Sequence, residues 1–237
     1  MARRRINTTR HEIIQTGTML FLERGYSATT PKMICDALDI STGNLTYYFP
    51  TKEHLLEVLA ELLCKFQSKT LQSMVQEEGT TSLLAACLEM AVIATISDGD
   101  EIAKDVFQAF YLSPLCLNVI RQNDVRRAKY IYGEFCPDWT EQQYLEAELL
   151  VSGIEYATLM TTDNLIPLED RVSGALNQMM TIFNVPEDIR RQKIEKVLAM
   201  DYQALGRTTL EHFRQFVAES NEHNFELLLS GAQAARA

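Results

Sequence analysis

The stretch that decides the fold is residues 20–56, which read LFLERGYSATTPKMICDALDISTGNLTYYFPTKEHLL. Thr30 and Pro31 place a hydroxyl cap before a proline, and helices commonly begin in this way. Asp39 tolerates the left-handed conformation of a tight turn, and Ser41 can cap the helix that follows. The pattern predicts two short helices joined by a three-residue turn, which is helix-turn-helix geometry.

The rest of the chain continues the helical pattern. Apolar residues recur at intervals of three and four, and all six prolines fall where a helical pattern starts or stops. We therefore predict an all-α fold, with a three-helix domain over residues 1–52 and a larger helical bundle over residues 53–237. The long helices are predicted at residues 9–24, 52–78, 82–97, 100–112, 115–135, 141–162, 167–184, 187–204 and 208–229.

The composition is that of a globular protein without a membrane span or a disulfide framework. Of the 237 residues, 46% are hydrophobic and 23% charged, as in an ordinary globular protein. We expect a cytoplasmic protein, because the sequence has neither a signal peptide nor an apolar run of the roughly 18–20 residues that a membrane helix needs. The five scattered cysteines indicate neither a disulfide framework nor a zinc site.

Charge is distributed unevenly along the chain. Residues 1–52 hold seven lysines and arginines and four acids, a balance of +3, so the remainder carries −13. A basic end on an acidic body suits a protein that presents one end to a polyanion.

The third helix, which begins at Thr42, carries the side chains that a recognition helix needs. Gly43 lets the backbone approach a groove closely, and the Asn44 amide can bond a base edge through two atoms. The remaining candidates supply hydroxyls, phenol rings and one cation, and they are Thr46, Tyr47, Tyr48 and Lys52. The alternative is a solvated surface helix, because threonine, asparagine and tyrosine are common on any surface.

The segment from Leu20 to Leu56 resembles the DNA-binding domain of the TetR family of transcriptional regulators. The matching residues are Phe21, Glu23, Gly25, Tyr26, Thr29, Thr30, Ile34, Ser41, Gly43, Leu45, Tyr47, Phe49, Lys52, Glu53 and Leu55. Three positions depart from the family pattern: Asp39 replaces a usual glycine, Cys35 a usual alanine, and Thr46 a typical aromatic residue.

The resemblance implies a sequence-specific, ligand-responsive repressor that acts as a homodimer on a palindromic operator in double-stranded DNA. In the family, residues that match Thr29, Thr30, Tyr47, Tyr48 and Lys52 tend to contact phosphates. Residues that match Thr42, Gly43 and Asn44 contact bases. Residues 1–52 would then be the DNA-binding domain, and residues 53–237 the ligand-binding and dimerisation domain.

The body offers candidates for both of its implied roles. The helix predicted at 141–162 is apolar on more than one face. Together with the helix at 167–184 it is the candidate for a four-helix dimer interface, and the alternative is the central helix of a monomeric bundle. Aromatic residues can line a pocket for a small-molecule effector or simply fill the core. The candidate lining residues are Phe107, Phe110, Tyr111, Tyr130 and Tyr156.

Enzymatic function is not predicted. The sequence has no nucleophile elbow, P-loop, dinucleotide fingerprint or His-Glu-x-x-His motif, so no catalytic residue, metal or cofactor is assigned. A helical protein whose basic end binds another protein is the competing class, and competition by duplex DNA distinguishes the two.

Overall fold

The computed structural model describes residues 2–76, 81–161 and 165–220, with side chains from Arg10 onward. These residues form eleven α-helices and no strand, which confirms the all-α prediction. The helices are α1 (Ala2–Arg24), α2 (Pro31–Leu38), α3 (Thr42–Tyr48), α4 (Lys52–Gln76), α5 (Ser82–Gly99), α6 (Glu101–Leu112), α7 (Pro114–Tyr132), α8 (Glu141–Met160), α9 (Leu168–Ile182), α10 (Glu187–Leu198) and α11 (Tyr202–Glu219).

The caps read from the sequence define the helix-turn-helix. The Thr30 hydroxyl accepts a hydrogen bond from the Met33 amide, and the Ser41 hydroxyl accepts one from the Asn44 amide. Asp39 ends α2 in the left-handed conformation, with φ 52° and ψ 45°. These local interactions stop α2 and start α3 within three residues.

Two hydrophobic clusters divide the molecule. The first cluster contains residues of α1, α2, α3 and the N-terminal half of α4, and we call these elements the head. Its core also includes Val106 and Phe110 of α6 and Phe213 of α11. The second cluster fills the body, and Leu71 from the C-terminal half of α4 belongs to it. Helix α4 therefore contributes to both cores, and the predicted boundary after residue 52 falls in its first turn.

Helix α5 is the centre of the body. By length and composition it is the one helix in the described ranges that could cross a membrane, with a mean hydropathy of 1.5. However, 61% of its residues are buried, and it packs against α4 and against every helix from α6 to α11. Its apolar character is that of a core helix.

Two predicted helix boundaries are wrong. Helix α1 begins at Ala2 instead of residue 9, and the break predicted at residues 205–206 lies at residues 199–201. The side chain of Asp201 caps α11 by accepting from the Ala204 amide. Gly206 lies inside α11 and packs closely on α5, since a Cβ there would come within 3.1 Å of Thr95 Cγ2. The predicted continuation to residue 229 lies outside the described residues beyond 220.

The turn between α1 and α2 is held from two sides. Lys52 Nζ, at the start of α4, donates to the carbonyl oxygens of Tyr26 at 2.9 Å and Thr29 at 3.1 Å. The same ammonium lies 4.0 Å from the centroid of the Tyr26 ring. From α6, the Asp105 carboxylate accepts from the Ser27 amide at 2.8 Å. Lys52 and Asp105 together fix the turn that leads into α2.

Replacing Lys52 with methionine keeps the apolar stem but removes the ammonium, so two carbonyls lose a charged donor. We expect Lys52→Met to lower the free energy of unfolding by about 1–3 kcal/mol, as for hydrogen bonds to charged groups. Urea denaturation followed by circular dichroism measures this difference. Lys32→Met, at an exposed lysine of α2, is the control, and an equal effect of both substitutions would contradict the assignment.

Candidate nucleic-acid interface and ligand cavity

Helix α3 is anchored by one face and exposed on the other. Leu45 and Phe49 are buried in the head core. Thr42, Gly43, Asn44 and Thr46 are exposed, and Tyr47 projects furthest, with 77% of its surface exposed. The helix therefore presents its N-terminal turn and the Tyr47 ring to solvent.

Gly43 has no packing role inside the chain. A Cβ at this position would meet only the Ser41 hydroxyl oxygen, at 3.9 Å, which is ordinary van der Waals contact. Glycine within a helix is less favourable than alanine by roughly 0.5–1 kcal/mol. Because the fold does not require this glycine, its bare backbone fits a role toward something outside the chain.

The candidate threonines differ in whether their hydroxyl groups can still donate a hydrogen bond to a ligand. The Thr46 hydroxyl donates back to the Thr42 carbonyl at 3.0 Å, so this side chain presents mainly its methyl group and lone pairs. Thr30 is exposed and uses its oxygen as an acceptor, so its hydroxyl hydrogen can be donated outward. The Tyr47 and Tyr48 rings meet edge to face, with centroids 5.0 Å apart.

Two of the predicted phosphate contacts face inward in this structure. Thr29 is buried, and its hydroxyl donates to the Gly25 carbonyl at 2.7 Å. The Lys52 ammonium is bound to the turn carbonyls described above, and burial lowers its pKa. Both residues hold the turn before α2 through these hydrogen bonds, and their direct contact with phosphates stays a prediction.

Two basic residues that were not predicted as contacts lie on α1 and α2. Lys32 is exposed in the first turn of α2, next to Thr30. The Arg10 guanidinium of α1 lies 5.4 Å from the centroid of the Phe49 ring, where burial lowers its pKa. Lys32 had a usable signal, because a lysine directly after Pro31 must fall at the start of a helix, where α2 presents free amides.

The body contains a cavity of about 110 Å³ that is lined by residues from all six helices from α4 to α9. Phe107, Phe110 and Tyr111 line it, at the positions predicted for a ligand site. The other two predicted residues do not. Tyr130 is 63% exposed, because its neighbours Ile131 and Tyr132 occupy the inward face of α7. Tyr156 lies behind the wall and contacts the Tyr111 ring, with centroids 5.6 Å apart.

The cavity wall carries charge that the sequence analysis missed. The Arg127 guanidinium donates to both carboxylate oxygens of Glu89, at 2.9 and 2.6 Å. The Tyr111 hydroxyl donates to Glu155 at 3.0 Å. Asp124 and Glu148 complete the set, so four carboxyl groups and one guanidinium line the same space. We call these residues the acidic cluster.

Burial raises the pKa of three carboxyl groups in the acidic cluster, those of Asp124, Glu148 and Glu155. Desolvation, with Asp124 and Glu155 nearby, raises the pKa of Glu148 to about 9. Desolvation and neighbouring carboxylates also raise the pKa of Glu155. Desolvation raises the pKa of Asp124, and Arg127 opposes that shift. Glu148 is therefore mainly uncharged at neutral pH.

A second cavity of about 60 Å³ adjoins the first. Leu22 of α1, Phe66 of α4 and Phe213 of α11 are among its mostly apolar walls. The residues shared by both cavities are Leu63, Gln67, Glu89, Ile93, Phe107 and Phe110. The two spaces thus form an acidic compartment and an apolar compartment with a common wall.

The raised pKa of Glu148 predicts how stability depends on pH. Between its ordinary value of 4.5 and the shifted value of about 9, the folded chain holds a proton that the unfolded chain releases. Stability therefore falls as pH rises through this window. We expect Glu148→Gln to remove part of that loss, on the order of a few kcal/mol at pH 8. Thermal unfolding from pH 6 to pH 9 measures it.

The matched control is Glu134→Gln, at an exposed glutamate just beyond α7. This variant should lose stability with pH as the parent protein does. A parallel pH profile for Glu148→Gln and the parent would contradict the buried, protonated state of Glu148.

Comparison with known proteins agrees with the geometry of the head. Residues 13–59 match the model of the family described as bacterial regulatory proteins, tetR family. A probable HTH-type transcriptional regulator, YttP of Bacillus subtilis, is 24% identical over 127 residues, which cover 53% of this chain and 61% of YttP. The HTH-type transcriptional repressor KstR2 of Mycobacterium tuberculosis is 35% identical over 54 residues, 23% of this chain and 27% of KstR2.

Among solved structures, the TetR family protein CprB from S. coelicolor A3(2) aligns with 87% of this chain and 98% of its own, at 20% identity and a TM-score of 0.41. The chain thus matches about three fifths of YttP and about a quarter of KstR2. These relatives are regulators by name, in agreement with the expectation that the chain is not an enzyme. Residues 13–59 therefore resemble the tetR family of bacterial regulatory proteins, and the two curated relatives that this chain is similar to are transcriptional regulators by name.

Proposed function

We propose that the protein is a cytoplasmic, ligand-responsive transcriptional repressor that binds a palindromic operator as a homodimer. The observation that carries the proposal is the exposed N-terminal turn of α3. Thr42, Gly43 and Asn44 stand clear of the fold, and Gly43 has no packing reason to be glycine. A short helix anchored on one face and bare on the other fits the major groove of B-DNA.

The exposed residues divide between bases and backbone. Thr42, Gly43 and Asn44 lie at the turn that would enter the groove and would contact base edges. Phosphate contacts would come from the flanking donors, which are Thr30, Lys32, Tyr47 and Tyr48, with the Thr46 methyl packing against the groove. Thr29 and Lys52 would act indirectly, because they hold the turn that sets the position of α2.

The dimer surface would be the outer faces of α8 and α9. Leu145, Leu149 and Leu150 are exposed on α8, and Leu149 has 57% of its surface exposed. Gly153 on α8 and Gly174 on α9 each have open space where a Cβ would stand. Apolar side chains beside flat positions suit close packing of helices from a second copy around a two-fold axis.

Helix α4 would couple the cavity to the head. Leu63 and Gln67 line both cavities, while Leu55 and Leu59, up to two turns earlier on the same helix, are buried in the head core. A ligand that displaces α4 would change the separation of the two α3 helices in the dimer. A coupling of roughly 1–3 kcal/mol between the sites is enough to favour release of the operator.

DNA binding is tested on duplexes selected from a random pool, by mobility shift over a range of salt concentrations. Gly43→Ala should keep or raise the melting temperature, since alanine favours the helix. It should also weaken binding at least tenfold, because a methyl group would obstruct the groove. Asn44→Ala should reduce discrimination against mismatched sites by about 1–3 kcal/mol. Gly99→Ala, at an exposed glycine ending α5, is the control, and unchanged DNA affinity of Gly43→Ala would refute the groove contact.

Dimerisation is tested by introducing charge into the proposed interface. Leu149→Glu should convert the protein to monomers in analytical ultracentrifugation, because two carboxylates would be buried across the two-fold axis. The control is Leu205→Glu, an exposed leucine of α11, which should remain dimeric. A parent protein that sediments as a monomer at micromolar concentration would overturn the assembly.

A further inference from the structure

We propose that the two adjoining cavities form a binding site for an organic cation with an apolar tail. The cationic nitrogen would lie against Glu148 and Glu155 in the acidic compartment, and the tail would fill the apolar compartment beside α1 and α11. This inference names the ligand class of the effector site, and it rests on the proposed function only where it concerns DNA release.

The charge balance of the acidic compartment favours a cation. Four carboxyl groups line it, whereas both terminal nitrogens of its one guanidinium, Arg127, are committed to Glu89. An anion would have to displace Glu89 from Arg127, and it would meet only carboxyl groups, which can lose their protons to balance a cation but cannot balance an anion. The Arg127 Nε atom is buried without a partner, so a cation with a hydroxyl or carbonyl group close to its nitrogen would satisfy it as well.

Glu148 is the carboxyl group best placed to contact a ligand. Only 5% of the residue is exposed, it lines the acidic compartment, and no side chain in the described part of the chain hydrogen-bonds to its carboxyl group. Buried polar groups normally have partners, and exceptions need a reason. A cationic nitrogen placed in the cavity would give Glu148 the partner that the protein does not supply.

The shape of the carboxyl cluster fits an organic cation better than a metal ion. In the described ranges, no three histidine, cysteine, aspartate or glutamate side chains converge closely enough to hold a metal. The carboxyls are instead spread around a space that Phe107, Phe110 and Tyr111 also line. Aromatic faces and dispersed carboxylates are the surroundings that alkylated ammonium ions favour.

The apolar compartment supplies the second half of the ligand. Its walls are mostly hydrocarbon and aromatic side chains, including Leu22, Val106 and Phe213, and it shares Ile93 and Phe107 with the acidic compartment. Each buried methylene of a tail adds to affinity. A ligand with a charged end and a tail of several carbons would use both spaces at once.

Protonation gives the site a measurable signature. The titratable groups that face Glu148 are Glu89 on α5, Tyr111 on α6, Asp124, Arg127 and Tyr132 on α7, and Glu155 on α8. The lining residues from α4 and α9 carry no charge. Because Glu148 and Glu155 hold protons when the site is empty, a permanent cation should displace protons on binding. Its affinity should therefore rise between pH 6 and pH 8.

The test is isothermal titration calorimetry of the full-length protein with four probes: hexyltrimethylammonium, tetramethylammonium, 1-hexanol and hexanoate. Hexyltrimethylammonium should bind at least tenfold more tightly than each of the other three. Its binding enthalpy should vary with the ionisation enthalpy of the buffer, which reports released protons.

Variants locate the site. Glu148→Gln should reduce the affinity for hexyltrimethylammonium at least tenfold and leave that for 1-hexanol unchanged, and Glu155→Gln provides a second, independent removal of charge. Glu134→Gln, the exposed control, should bind as the parent does. Hexanol or hexanoate binding as tightly as the cation, or cation affinity that survives both cavity substitutions, would overturn the proposal.

A mobility shift with hexyltrimethylammonium separates this inference from the proposed function. Cation binding that depends on Glu148 but leaves operator affinity unchanged supports the cation site and contradicts ligand-controlled repression by it. Release of the operator by hexanoate, with no calorimetric binding of the cation, contradicts the cation site and supports ligand control.

Discussion

The burial of Leu45 and Phe49 in the head core is the constraint on which the DNA-facing surface depends. Helix α3 has only seven residues, and a helix of this length is not stable in water by itself. It forms because these two side chains dock against the head core, and because Ser41 caps its first turn. Since the buried face of α3 supplies its stability, the exposed face can carry residues such as Gly43 that the packing of the chain does not require.

Much of this head could be predicted, because its signals are local. Thr30, Asp39 and Ser41 act on residues no more than four positions away, so their roles follow from the order of the sequence. The orientation of Lys52 could not be predicted, because it donates to the Tyr26 carbonyl, 26 positions earlier in the chain. The resemblance to the family singles out Lys52 as a candidate phosphate contact, but only the folded turn shows that its ammonium donates to the Tyr26 carbonyl.

The body shows the same difference between local and long-range information. Helical periodicity places Phe107 and Phe110 inward, whereas Tyr130 is one position away from the inward face that Ile131 occupies. The sequence shows that the body has an excess of acidic residues but not where they lie, and the structure places Glu148 and Glu155 on the lining of a cavity. Periodicity puts Glu148 on the same face as Tyr144 and Val151, but whether a buried carboxyl finds a partner depends on other helices.

A buried carboxyl without a hydrogen bond is an unfavourable choice for stability alone, because an apolar side chain would fill the same place without desolvating an acid. Sequences break local rules of this kind mainly at functional sites. Glu148 shares its cavity with Leu63 and Gln67 of α4, the helix that also enters the head core. A ligand that satisfies Glu148 would stabilise the conformation to which it binds, in proportion to its concentration over its dissociation constant. The same unsatisfied group that weakens the empty body would then provide the free energy difference by which a ligand could shift α4.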